Sequence, residues 1–443
     1  MKINLKGEKE ISFLIKIFIG MLCMSYIFIR IVFDYYTHYG NVISAIMLLI
    51  VSVNFLIKVK ENIIFFILAF FILYSNYSIA MGVYFNTQYT EPLNMYNQIL
   101  DPINRGIALD TILLFMTLLY VFFPNIKNSK IKNNIFEGDE NIYIVFIIFI
   151  ISIYIIIFEF QEPIVAGERG SASTIYEYGS IFFIIGLYYC GKNRKLRNVL
   201  MILIIIYVMQ DVIYGGRINA IKTMIVIFSF LYSNRVTYKQ IILPMVLCVF
   251  VSVGLGMFRQ NLELSMEALE AVYISLKENA LVFDTAVWAF FPTLTFIEMK
   301  SILPLNERLQ LFGNFLKSII LGSKSVPNSV LPYYTRQFYE HYNGGYIPGY
   351  FYFWFGWAGV IVIAIILILL FNKLNNIYSD NLNSKNINGY PKLLFIFIVS
   401  TVPRWYMYDP SNIFRGTLLF SIVYVAFLIV DTFTKSNTKQ KLK

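Results

Sequence analysis

Polar clusters divide the chain into a succession of apolar runs, each close to the ~20 residues that an α-helix needs to cross a bilayer. Twelve such runs stand at about 11–33, 41–57, 62–80, 107–123, 141–158, 174–190, 199–214, 218–233, 240–257, 348–371, 393–409 and 413–432. Water cannot solvate that pattern. Composition leads to the same place: 58% of the 443 residues are apolar and 14% are charged, against about 25% charged in a soluble domain. The expected fold is therefore an all-α polytopic membrane protein with about 12 transmembrane helices. It forms a single transmembrane domain over 1–443, within which 258–347 is a large extracytoplasmic (periplasmic) loop. Disorder, collagen and coiled coil are excluded, and no stretch is both long and polar enough for an appended soluble domain. Cys23, Cys190 and Cys248 lie inside apolar runs and offer neither a disulfide framework nor a zinc spacing.

The first run follows Lys2, Lys6 and Lys9 like a signal sequence, but no small-residue cleavage site comes after it, so it reads as an uncleaved span. The formal charge is +10, from 36 Lys+Arg against 26 Asp+Glu. In a soluble protein that excess would suggest nucleic acid; in a membrane protein it is an orientation signal, and no nucleic-acid partner is expected. With the N-terminus cytoplasmic, the inside segments carry 21 of the 36 basic residues. The short outside loops carry four, Arg105, Arg169, Arg217 and Arg404. This bias places both termini in the cytoplasm. The stretch 280–298 is nearly long enough to span, yet one more crossing would put the basic tail outside, so a re-entrant or interfacial segment is expected. Before it, 262–279 sets Leu262, Met266, Leu269, Tyr273 and Leu276 at helical spacing, an amphipathic helix suited to the outer membrane surface. No internal repeat relates residues 1–220 to 221–443, which weakens a transporter reading.

The chemistry-bearing residues lie on the outer side. The short outside loops contain arginine and no lysine, and an always-charged planar fork suits bidentate recognition of phosphate or carboxylate. Arg217 follows Gly215-Gly216 at a hairpin tip, where glycines let a ligand approach the backbone; the plainer alternative is a snorkelling interfacial arginine. Arg404 and Arg415 flank the last outside loop, PRWYMYDPSNIFRG, in which Asp409 could pair with either. Asp110, Glu177 and Asp211 are acids within runs, and Glu159 ends one; such residues mark proton relays in transporters or pair within a bundle, as Asp211 could with Arg217. His341, beside Glu340 and five residues after Arg336, lies in a tyrosine-dense stretch. It is a candidate general base, or an incidental member of an aromatic belt; for His38 the belt reading is taken. No P-loop, H-E-x-x-H, C-x-x-C or outside D-x-D occurs, so neither nucleotide hydrolysis nor a metal-bound nucleotide-sugar donor is expected.

Taken together, the dozen spans, the late outside loop, Gly215-Gly216-Arg217 opening a span, and His341-Tyr342-Asn343-Gly344-Gly345 followed by Gly349 to Gly359 resemble the O-antigen polymerases. These are Wzy-type oligosaccharide repeat-unit polymerases of bacterial envelopes, related to the O-antigen ligases. The sequence departs from many relatives at Tyr350, where they carry a glutamate. The resemblance implies a glycosyltransferase of the bacterial inner (plasma) membrane. It would move a growing glycan from undecaprenyl pyrophosphate onto the terminal sugar of a new lipid-linked unit, alongside a flippase and a chain-length regulator. Two roles follow: cations for the developing charge on the pyrophosphate, assigned to Arg217, Arg336, Arg404 and Arg415, and a base, assigned to His341 with Glu340 behind it. Neither a cofactor nor a metal is expected. An O-antigen ligase shares this chemistry and remains an alternative, as does a lipid-linked oligosaccharide flippase or transporter.

Overall fold

The computed structural model describes residues 5–85, 101–124, 126, 138–161, 171–214, 216–232, 236–261, 270, 274, 284–339, 341, 343–380 and 389–441. Ten helices cover the first part: α1 (Leu5–Phe33), α2 (His38–Val59), α3 (Ile63–Tyr84), α4 (Pro102–Phe122), α5 (Ile142–Phe158), α6 (Thr174–Glu177), α7 (Gly179–Tyr189), α8 (Arg194–Ile213), α9 (Ile218–Leu231) and α10 (Tyr238–Asn261). Then come α11 (Asp284–Ile302), α12 (Leu305–Leu321), α13 (Leu331–Thr335), α14 (Ile347–Phe355), α15 (Trp357–Asp380), α16 (Tyr390–Ser400), α17 (Val402–Met407) and α18 (Ser411–Lys441). A two-residue antiparallel pair, β1 (Phe160–Gln161) with β2 (Ser171–Ala172), stands between α5 and α6.

Seven of these helices are long and apolar enough to cross a membrane, and five shorter apolar helices coincide with the other five runs read from the sequence. Burial is uneven. The central windows of α3 and α4 are 72% and 78% buried, whereas those of α1 and α8 are 22% buried. Phe13, Phe18, Met21 and Phe28 on α1, and Ile202, Ile205 and Met209 on α8, are exposed. Apolar surface on that scale exceeds what a soluble monomer tolerates and matches a lipid-facing belt around a protein core.

The helix ends sort into two faces. On one, Lys58 at the end of α2 donates to the terminal carbonyls of α4, Tyr120 at 2.8 Å and Phe123 at 2.7 Å. There too, Asn141 before α5 donates to Asp431 of α18, and Lys435 pairs with Asp139 at 2.9 Å. Asn62, Asn141 and Asn193 cap α3, α5 and α8 on this face by accepting backbone N–H groups. On the opposite face Thr37, Asp101 and Ser173 do the same for α2, α4 and α6. Successive runs therefore alternate in direction.

Three expected runs are interrupted. The run 174–190 parts at Tyr178, between α6 and α7. The run 348–371 breaks at Gly356, whose φ of +64° ends α14, with its N–H on the Tyr352 carbonyl at 2.8 Å. The run 393–409 breaks between α16 and α17, where Pro403 has no N–H to continue the ladder. Broken backbone at such depth requires protein cover, and Val402, Pro403, Trp405, Tyr406 and Met407 are all buried, with Trp405 Nε1 on the Ile398 carbonyl at 3.0 Å. The stretch 280–298, expected to be re-entrant or interfacial, contributes the 19-residue α11, whose Ala286 to Ile297 are largely buried against α3, α4 and α14. The proposed amphipathic helix 262–279 lies outside the described residues apart from Glu270 and Ile274, which are helical and exposed.

Candidate functional site

The α8–α9 hairpin supplies the first component. A Cβ at Gly216 would lie 2.2 Å from Asp211 Oδ1, so any side chain there would displace that carboxylate. Asp211 in turn accepts the Ala220 N–H at 3.0 Å and the Asn219 amide at 3.4 Å. These two bonds hold the Asp211 carboxylate at the first turn of α9, where the helix dipole favours an anion. Arg217 is the residue preceding α9 at this rim. Gly215 lies outside the described residues.

One turn further along α9, Lys222 is buried, which demands hydrogen-bond partners. Its Nζ donates to the Glu177 backbone carbonyl at 2.6 Å and to Asn219 Oδ1 at 3.0 Å. The Glu177 carboxylate meets Arg404 of α17 at 3.0 Å, with side-chain exposures of 15% for Arg404 and 38% for Glu177, so this pair opens to the surface. Tyr178 lies in the combined field of Arg415, Asp409, Glu177 and Arg404. Arg415, in the first turns of α18, also places its guanidinium against Gly322 at the end of α12, where a Cβ would be 3.1 Å away. Its Nε is buried without a hydrogen-bond partner among the described residues. Asp409, which the sequence offers to either Arg404 or Arg415, places its carboxylate on the Ser411 N–H at 2.8 Å and caps α18.

The second component is the segment after α13. His341 is buried, its Nε2 2.8 Å from the Thr335 hydroxyl. Arg336 Nε donates to the His341 carbonyl at 3.0 Å, and its terminal nitrogen reaches Asn343 Oδ1. Gly344 and Gly345 have φ of +134° and +138°, conformations that side chains rarely adopt. The Gly345 N–H donates to the Met407 carbonyl at 2.9 Å, and the Tyr350 hydroxyl to the Tyr408 carbonyl at 2.5 Å. This turn thus joins the His341 segment to the break that carries Arg404 and Asp409. Tyr350, where the resemblance would place an acid, is a buried strut in that junction. Glu340 lies outside the described residues.

Arg404 and Arg415 are therefore brought to one cluster, with Arg217 at its edge, while Arg336 and His341 occupy an adjoining one. Sequence reasoning overlooked Lys222 as a site residue and left Glu177 as a generic acid. The signal was present, since an ionisable residue within an apolar run is a functional candidate. A third buried group, Asp110, pairs with Arg30 at 3.2 Å, both fully buried, and is held by Ser44 and Asn41. Among the described residues no group of three or more His, Cys, Asp and Glu side chains could hold a metal ion. No family model matches the chain, and neither curated proteins nor solved structures offer a similar one.

Proposed function

We propose that the chain is a glycosyltransferase of the bacterial inner membrane that polymerises lipid-linked oligosaccharide repeat units, with both termini cytoplasmic. The observation that carries this reading is the gathering of Arg404, Arg415 and Lys222 around a broken-helix segment at one end of the bundle, where Arg404 and Glu177 open to the surface. Such a site suits a diphosphate whose lipid stays in the bilayer while its glycan projects outward. Glycosyl transfer from a polyprenyl pyrophosphate requires stabilisation of the charge that develops on the departing phosphate, and fixed cations in a partly desolvated site supply it. Arg404 and Arg415 act on that charge, Lys222 sets the local potential, and Arg217 and Arg336 flank the approach. The donor's own leaving group provides the driving force.

Reconstitution into proteoliposomes with undecaprenyl-pyrophosphate-linked repeat units tests the reading. A ladder of multiples is the expected product, and it disappears in Arg217→Ala and Arg404→Ala while insertion is retained. Transfer to lipid A core alone makes the protein a ligase; translocation without a new glycosidic bond makes it a flippase. Either result overturns the polymerase reading.

A further inference from the structure

The three acids of the cluster are not equivalent. Asp211 is committed to the first turn of α9 and Asp409 to the first turn of α18, so removing either carboxylate strips a helix terminus of its partner. Glu177 ends α6, a four-residue helix, and directs its 38% exposed side chain at Arg404. Inward of Arg217 at the edge, the cations Arg404, Arg415 and Lys222 stand against Glu177, Asp211 and Asp409, which leaves that inner set formally neutral. A pyrophosphate therefore binds well only if a carboxylate withdraws, and Glu177 is the one whose withdrawal uncaps no helix.

We propose that Glu177 holds Arg404 in the resting site and, once the donor phosphate displaces it, becomes the base that accepts the acceptor hydroxyl's proton. This rests on the polymerase reading. The acceptor O–H bond breaks as its oxygen bonds to the anomeric carbon of the donor, and the proton passes to a Glu177 carboxylate oxygen. The bond from that carbon to the phosphate oxygen breaks, and the lipid pyrophosphate leaves with the electron pair, now facing Arg404. Proton transfer needs a base within reach of the reacting hydroxyl. His341 is 4% exposed and bonded to Thr335, whereas Glu177 is open and beside the cations.

The test uses the full-length protein in nanodiscs, with undecaprenyl pyrophosphate as the binding probe and lipid-linked repeat units for turnover. Glu177→Gln removes the competing charge and the base together. It is expected to bind the probe roughly tenfold more tightly, one decade of the affinity scale, while turnover falls about 10²–10⁴-fold, the usual contribution of a general base. Glu177→Asp keeps a carboxylate and is expected to recover part of the turnover, which a packing defect would not. In an Arg404→Ala background the affinity gain of Glu177→Gln is expected to vanish. Unchanged affinity in Glu177→Gln, a gain that persists without Arg404, or wild-type turnover in Glu177→Gln each overturns the proposal. A wild-type protein that neither binds the probe nor extends glycans overturns the polymerase reading instead.

Discussion

Arg30 and Asp110 are fully buried, 80 residues apart in sequence, and join α1 to α4 through a 3.2 Å contact. Asp110 also accepts from Ser44 at 2.6 Å, Arg30 donates to Asn41 at 2.5 Å and to the Gly40 carbonyl at 3.0 Å, and the Tyr36 ring lies 4.8 Å from the guanidinium. Removing one member of such a pair leaves an uncompensated buried charge, at a cost of about 3–5 kcal/mol. Asp110→Leu and Arg30→Met should each show that loss. The double variant removes both charges and leaves Ser44 and Asn41 short of partners, about 1–3 kcal/mol apiece, well below the sum of the two singles, so the cycle should be strongly non-additive. With an unfolding entropy of ~2.1 cal/mol/K per residue over 443 residues, each single variant lowers Tm by ~3–5 °C. The double variant lowers Tm by far less than the two single shifts added together. Scanning calorimetry of the four proteins in one detergent measures this cycle. Additive shifts would refute the account of the pair as a mutually compensating unit.

Three further outcomes follow from the packing. Arg404→Ala leaves Glu177 without its ion-pair partner and removes one donor to the leaving phosphate, so turnover in the vesicle assay should fall about 10²–10³-fold, while a fluorescent fusion still reports membrane insertion. Gly345→Ala must adopt a φ of +138° with its Cβ 2.4 Å from Phe296; a loss of ~1–3 kcal/mol is expected from the strain alone, read as a lower Tm, and an unshifted Tm refutes the turn geometry. In a Cys248→Ser background, with Cys23 and Cys190 buried, Tyr39→Cys should react with an impermeant maleimide added outside intact cells. Lys192→Cys should react only after permeabilisation; the reverse pattern would invert the topology.

The membrane class of this protein is legible in the sequence because hydropathy and run length are local properties: a run of 20 apolar residues has the same preference for lipid whatever surrounds it. Each of the twelve runs has a helical counterpart, and caps such as Asn62, Asn141 and Asn193 sit at the polar clusters that delimit them. The helix breaks were only partly legible. Pro403 and Gly356 stand in plain view, but whether such a residue kinks a run or ends it depends on whether neighbouring protein covers the freed backbone groups.

The site is a different matter. Lone charges in apolar runs announce that partners exist, without saying which. The Asp211 carboxylate takes the N–H of Ala220, nine residues on, where the hairpin closes at Gly216. Glu177 and Arg404 are 227 residues apart and meet at 3.0 Å. Lys222 finds a backbone carbonyl that no pattern of side chains foretells. A buried charge takes whichever partner the packed helices bring within 3 Å, so the sequence by itself determined that charges stand within and beside the apolar runs, and only the tertiary structure decided which of those charges form one site.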